Sequence, residues 1–295
     1  MTGNVPFTCP GRRSGPALVA PALVLLLVFA YWPVLRSAWL SLHGSDLLGR
    51  PTRFVGLDNV AQLVLDPALR SVLLTTVVMA AASTALATSA AVLAALLLRR
   101  AAARARGAVS LVLSLPFAYS AAAASATFAG LLAPSSGIAD RLLAAAGVSG
   151  PGWLTEPAWA VASVSVTTAW YEFGFAFLVV LAAVSQLDPA PLEAAALDGA
   201  GEWRSNLAIV LPALRPSILF VVVTQTISGL QVFTQVAVLT GGGPGSSTHT
   251  LVYELYQRAF GGGLPQYGVA SALGLLLLVL VGLVSAAQMR LGRER

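Results

Sequence analysis

The sequence predicts an all-α integral membrane protein with six transmembrane helices. Of its 295 residues, 57% are hydrophobic and only 10% are charged, where a soluble domain carries about a quarter. So few charges cannot cover a water-facing surface. Six apolar stretches approach or exceed the roughly 20 residues that a helix needs to cross a bilayer. They lie near residues 17–39, 71–98, 107–133, 159–184, 207–239 and 268–289. All 17 basic residues are arginine, with no lysine, and they gather at the edges of these stretches. The net charge of +5 therefore belongs to membrane edges and predicts no nucleic-acid partner.

Taken in order, residues 1–16 read as a cytoplasmic tail. Its Cys9 is the sole cysteine, which excludes an intrachain disulfide, and no Cys or His stands near it at metal-ligand spacing. The stretch that follows Arg12 and Arg13 looks at first like a secretory signal. Its apolar run is too long, however, and Trp32-Pro33 occupies the place where small cleavage-site residues would be needed, so an uncleaved helix is expected. The second stretch, TTVVMAAASTALATSAAVLAAL, is rich in the small residues that let helices approach closely in lipid. The arginine-rich run RRAAARAR after it sets the orientation. With the N-terminus inside, Arg99, Arg100, Arg104, Arg106, Arg204, Arg215, Arg290, Arg293 and Arg295 join Arg12 and Arg13 on the cytoplasmic side. Arg36, Arg50, Arg53, Arg70, Arg141 and Arg258 fall outside. Both termini are then cytoplasmic, and residues 17–290 form one membrane domain followed by a short tail, 291–295.

Between the fourth and fifth stretches the chain turns polar, at 187–206. Pro189 and Pro191 suit a helix start, and Glu193 lies near its positive end. Asp198-Gly199 marks a C-cap or tight turn, since glycine takes positive φ without steric cost. A second helical piece runs from about Glu202 to Pro212. A helix-turn-helix at the membrane surface is shaped to dock in a groove on a cytoplasmic partner.

Glu193-Ala194-Ala195, Gly199, Ile209 and Leu211-Pro212 stand at spacings that resemble the cytoplasmic EAA motif of the inner-membrane permeases of binding-protein-dependent ABC importers. FVGLDNV (54–60), LTGGGPGSSTHTLVYELYQRAF (239–260) and YGVASALGLLLLVLVGL near the end extend the resemblance over about residues 17–290. It is closest to the first of the two unlike permeases in sugar and sn-glycerol-3-phosphate importers. The resemblance implies a type I ABC importer permease fold in a bacterial inner or plasma membrane, with a carbohydrate-class cargo. It also implies four kinds of partner: a second homologous permease, two ATPase subunits, an extracytoplasmic solute-binding protein and membrane lipid. Residues 193–204, including Asp198, would couple to the ATPases, and Gly241, Gly242, Gly243 and Pro244 would lie where the binding protein docks. ATP and Mg would sit on the ATPase subunits. This chain binds no cofactor on this reading, since a phosphate-binding P-loop needs a lysine.

Six polar or aromatic residues are candidates for the substrate path. Glu172 is an acid inside the fourth stretch, and such groups usually face a cavity or a partner. Ser228, Gln231 and Gln235 recur at helical spacing in the fifth stretch, and Gln both donates and accepts. Trp170 and Tyr119 offer faces for sugar rings. For each, helix packing is an equally available role. His43 and His249 stand far apart, so no metal site is predicted, and no catalytic triad or carboxylate pair suggests an enzyme. A self-contained secondary transporter is the alternative, but it would call for two symmetric halves.

Overall fold

The computed structural model describes residues 15–46, 48, 50–99 and 101–293. Cys9, Arg12, Arg13, Arg100 and Arg295 lie outside the described residues. α1 (Gly15–Leu26) passes through a wider π turn, Leu27–Tyr31, into α2 (Trp32–Ser41). α1 and the π turn are apolar around their circumference, with Phe29 75% exposed, as expected of a helix solvated by lipid or by another membrane helix. A hairpin of β1 (His43–Ser45) and β2 (Pro51–Phe54), antiparallel with His43 opposite Phe54, leads to α3 (Asp58–Leu65) and α4 (Pro67–Leu98). Pro67 at the first helical position and the Asp66 carboxylate, accepting from Ala68 N at 2.9 Å, start α4, the expected use of proline and an N-cap acid.

α5 (Ala103–Ala118) and α6 (Ala121–Leu131) occupy the third predicted stretch. They are not one straight span: the chain bends by 99° between them. Pro116 weakens the end of α5, and Ser120 Oγ restarts the helix by accepting from Ala123 N at 3.1 Å. α7 (Ile138–Ala145) and the long α8 (Pro157–Ser185) follow. Then come α9 (Ala190–Leu197), α10 (Glu202–Ser205), a π turn at Asn206–Val210 and α11 (Leu211–Ala213). The fifth stretch also differs from an unbroken helix. α12 (Arg215–Leu230) stops at Gln231, and α13 (Thr234–Leu239) restarts after an irregular Phe233. The carbonyl of Val232 freed by this break accepts from the Thr250 hydroxyl at 3.0 Å, as backbone at membrane depth must be satisfied within the protein. α14 (Leu251–Phe260) and α15 (Tyr267–Arg293) complete the chain. Four helices are long and apolar enough to cross a membrane, and six spans result if each bent pair counts as one.

Small residues set the packing, as in lipid they must. A methyl added at Gly229 of α12 would come within 2.9 Å of Ala80 Cα on α4, and one at Gly174 of α8 within 2.5 Å of the Phe117 nitrogen on α5. One core cluster joins Leu96, Phe177, Val180, Val210 and Leu214, with Leu98, Leu187 and Leu192 packed on it. It gathers the end of α4, the end of α8 and the α9–α11 segment at one end of the molecule. A second cluster joins Leu63, Leu69, Leu251 and Leu273 at the opposite end, where Asn59 Nδ2 donates to the carbonyls of Ser41 (2.7 Å) and His43 (3.0 Å).

Candidate functional site

Three places hold the residues singled out in the sequence. The first is the α9–α11 segment. Asp188 Oδ1 accepts from Ala190 N at 3.0 Å at its start. At its turn Gly199 takes φ +76°, while Ala200 N donates to Ala195 O (2.9 Å) and Gly199 N to Ala196 O (3.1 Å). This double bond around a left-handed glycine is the Schellman closure of a helix. Nothing lies within 4 Å of a methyl placed on Gly199, so backbone conformation, rather than space, calls for glycine there. Glu193, Ala194 and Asp198 are exposed and Leu197 is 90% exposed, while Trp203, 58% exposed, lines a groove with Leu207 and Leu211. Ile209, in the π turn, and Leu211-Pro212 are half-buried and carry the segment back to the core through Val210 and Leu214. The segment is thus tied down along its inner side and leaves an acid, Glu193, and one large apolar side chain, Leu197, exposed.

The second place is a cavity of about 240 Å³ between α5, α8 and α12, lined by Phe117, Tyr171, Glu172, Phe175, Thr224, Gln225 and Ser228. The structure brings Glu172 and Ser228 together there. Glu172 is only 6% exposed and its Oε2 has no hydrogen-bond partner; Ser228 lines the same cavity. Gln225 was not among the sequence candidates, although it stands three residues before Ser228 on the same helix. Its Oε1 accepts from Thr88 Oγ1 at 2.8 Å and its Nε2 donates to the Glu172 carbonyl at 3.3 Å. It therefore ties α4, α8 and α12 together behind the cavity. The expected polar stripe does not continue beyond this point. Because α12 ends at Leu230, Gln231 is an exposed cap residue and Gln235 is buried on α13, and neither lines the cavity. Trp170 and Tyr119 meet edge to face at 5.7 Å, with Phe128 at 5.5 Å from Trp170. They form an aromatic group at the α5–α6 bend, apart from the Glu172 cavity. A larger groove, about 720 Å³, lies between α4 and α12 and is lined chiefly by aliphatic side chains, a poor match for a hydroxyl-rich solute.

The third place is the glycine-rich loop, and it is firmly fastened. Gly241, Gly242 and Gly245 have φ of 58°, 84° and 54°. Tyr253 OH donates to Gly241 O at 2.8 Å, Thr248 Oγ1 to Gly243 O at 2.8 Å, and Leu251 N to Thr76 Oγ1 at 2.9 Å. A methyl on Gly242 would lie 2.3 Å from the His249 ring. His249 Nδ1 lies 3.0 Å from Glu254 Oε2. Arg258 pairs with Glu254 at 2.7 Å and with Asp66 at 3.0 Å, linking the loop and α14 to the cap of α4. The His249 bond, and after it Arg258, hold the Glu254 carboxyl down at about 2, against its ordinary 4.5 and against partial burial. Arg258 is raised in turn, first by Glu254 and then by Asp66. His43 is far from His249 in the hairpin, and no group of three metal-ligating side chains occurs among the described residues.

Comparison with known proteins places these features in context. Residues 87–294 match the family described as binding-protein-dependent transport system inner membrane component. The chain is 32% identical to the lactose transport system permease protein LacF of Rhizobium radiobacter, over 96% of this chain and 95% of the relative. It is 29% identical to the sn-glycerol-3-phosphate transport system permease protein UgpA of Agrobacterium fabrum (strain C58 / ATCC 33970), over 94% of each. Its fold is shared by a chain of a bacterial alginate ABC transporter, solved in complex with an alginate pentasaccharide-bound periplasmic protein. That likeness has a TM-score of 0.82 at 23% identity and covers 94% of this chain and 93% of the other.

Proposed function

The chain belongs to the binding-protein-dependent transport system inner membrane components, and from that premise we propose that it lines the path of a carbohydrate-class solute, a sugar or a glycerol phosphate, in an ATP-driven importer. A second, homologous permease completes the path, and two ATPase subunits, which hold ATP and Mg, dock from the cytoplasm. A solute-binding protein delivers cargo at the glycine-rich loop. Both termini then lie in the cytoplasm.

The observation that best supports the coupling role is the α9–α11 segment. A permease without its own ATP site needs a surface that receives motion from the ATPase and passes it to the spans. Leu197 and Glu193 are exposed, while Val210 and Leu214 run directly into the core behind α12. ATP-driven closure of the ATPase pair would push on this segment and, through it, change the packing of α4, α8 and α12 around the Glu172 cavity. Alternating access follows from two such packings, each opening the path to one side.

Reversing the charge at Glu193 (Glu193→Arg), or adding bulk at Gly199 (Gly199→Val), tests this coupling. Both variants should insert in the membrane and retain the second permease, but lose ATP-driven uptake and recover less ATPase on purification. Full uptake by both would overturn the coupling role. Uptake that persists with the ATPase disabled would instead favour a secondary transporter.

A further inference from the structure

The relatives include permeases named for an uncharged sugar, lactose, and for a phosphate ester, sn-glycerol 3-phosphate, which is an anion. The cavity between α5, α8 and α12 distinguishes them. Its lining contains no arginine, lysine or histidine. Its one ionisable acid, Glu172, is 94% removed from solvent, taking its 6% exposure, and Oε2 is left without a hydrogen-bond partner. Two of the other polar groups already have partners within the protein. Thr224 Oγ1 donates to Phe220 O at 2.9 Å, and the amide of Gln225 is engaged at both ends. The lining therefore offers acceptor oxygens on Glu172, Thr224 and Ser228, with donors at the Tyr171 phenol and the second N–H of Gln225. Acceptors need donors. A sugar hydroxyl supplies one and can lie against the aromatic rings of Phe117, Tyr171 and Phe175 as it does so. A phosphate ester brings further acceptors and a charge that would be stripped of water with no cation to meet it, which is strongly unfavourable.

We propose that Glu172 is a specificity-determining residue that opens this cavity to uncharged, hydroxyl-rich solutes and closes it to phosphate esters. The proposal rests on the permease reading above and narrows its cargo. Passage through the cavity then involves exchange of hydroxyl contacts with Glu172 Oε2, and the binding protein's choice of ligand is checked a second time inside the membrane.

The test uses the complete importer, purified from its native membrane through this chain and reconstituted with its binding protein in vesicles. Uptake driven by ATP is measured with labelled lactose, trehalose and sn-glycerol 3-phosphate, and the solute released from the binding protein is identified by its mass. An uncharged sugar is expected as cargo. Glu172→Gln should raise the half-saturating concentration about tenfold at an unchanged maximal rate, and Glu172→Asp, which keeps the carboxyl, should recover most of that loss. A merely structural role for Glu172 would lower complex yield and maximal rate together instead. Wild-type import of sn-glycerol 3-phosphate, or an anion released from the binding protein, would overturn the proposal and leave the importer reading standing. So would an unchanged half-saturating concentration in Glu172→Gln. Recovery of the chain with no ATPase and no ATP-driven uptake would overturn the importer reading itself.

Discussion

The α9–α11 segment and the 241–258 loop look alike in sequence, since both are glycine-punctuated polar interruptions between apolar stretches. Their structures are opposite in kind. Gly199 has open space around it and serves a turn whose outer face is unencumbered. Gly242 is wedged against the His249 ring in a loop held by side chains from α4 and α14. One segment leaves its turn exposed, whereas the other is an abutment fixed to the rest of the molecule. The difference teaches that a glycine's role depends on what surrounds its missing side chain as well as on its backbone angle.

The largest expected effect is at Gly242. Gly242→Ala adds a methyl into the His249 ring at positive φ, and should destabilise the purified protein by about 3 kcal/mol, read as a lowered thermal midpoint. If the midpoint holds, the loop is less firmly fixed than its contacts indicate. Gly199→Ala carries only the backbone penalty, about 1 kcal/mol, and should leave the midpoint within a few degrees. An equal loss at both positions would erase the contrast.

Arg258→Ala removes both ion pairs of the abutment. Because the pairs are partly exposed, the expected loss is about 1 kcal/mol, and it should shrink at high salt. The acid behaviour follows from Glu254. Its folded value is depressed, so its stabilisation is fully present above pH 4.5 and is lost as the pH falls through about 2. A stability profile from pH 7 to 2 should therefore show no Glu254-dependent change before about pH 4.5, and Glu254→Gln should flatten the acid limb. Leu197→Ala, at the exposed tip of the other segment, should change stability by less than about 0.5 kcal/mol while reducing ATPase recovery. A stability loss as large as that of Gly242→Ala would mean that Leu197 packs within this chain.

Much of the site was visible before any fold was known. The Asp198-Gly199 turn could be read from local backbone preference alone, and the structure closes it with a double hydrogen bond. Glu172 stood out because an acid within an apolar stretch must find a cavity or a partner. Gln225, three residues from Ser228, carries no such local signal, because its bridging role depends on Thr88 and the Glu172 carbonyl, which are distant in sequence. Helical spacing groups Gln235 with Ser228 only if the helix is unbroken. The break at 231–233 is stabilised by Thr250, eighteen residues beyond Val232, and no local pattern announces it.

The sequence by itself determined the class of the molecule, the rough position of its apolar stretches, the turn at Gly199 and the family motif. Each of these depends on composition, hydrophobic run length, or chemistry within one or two helical turns. Only the tertiary structure decided where the third and fifth stretches bend, which polar residues share the Glu172 cavity, and that the glycine-rich loop is clamped. Those outcomes depend on which helices come close enough to exchange hydrogen bonds and to exclude a methyl group, and that is set by packing between segments far apart in the chain.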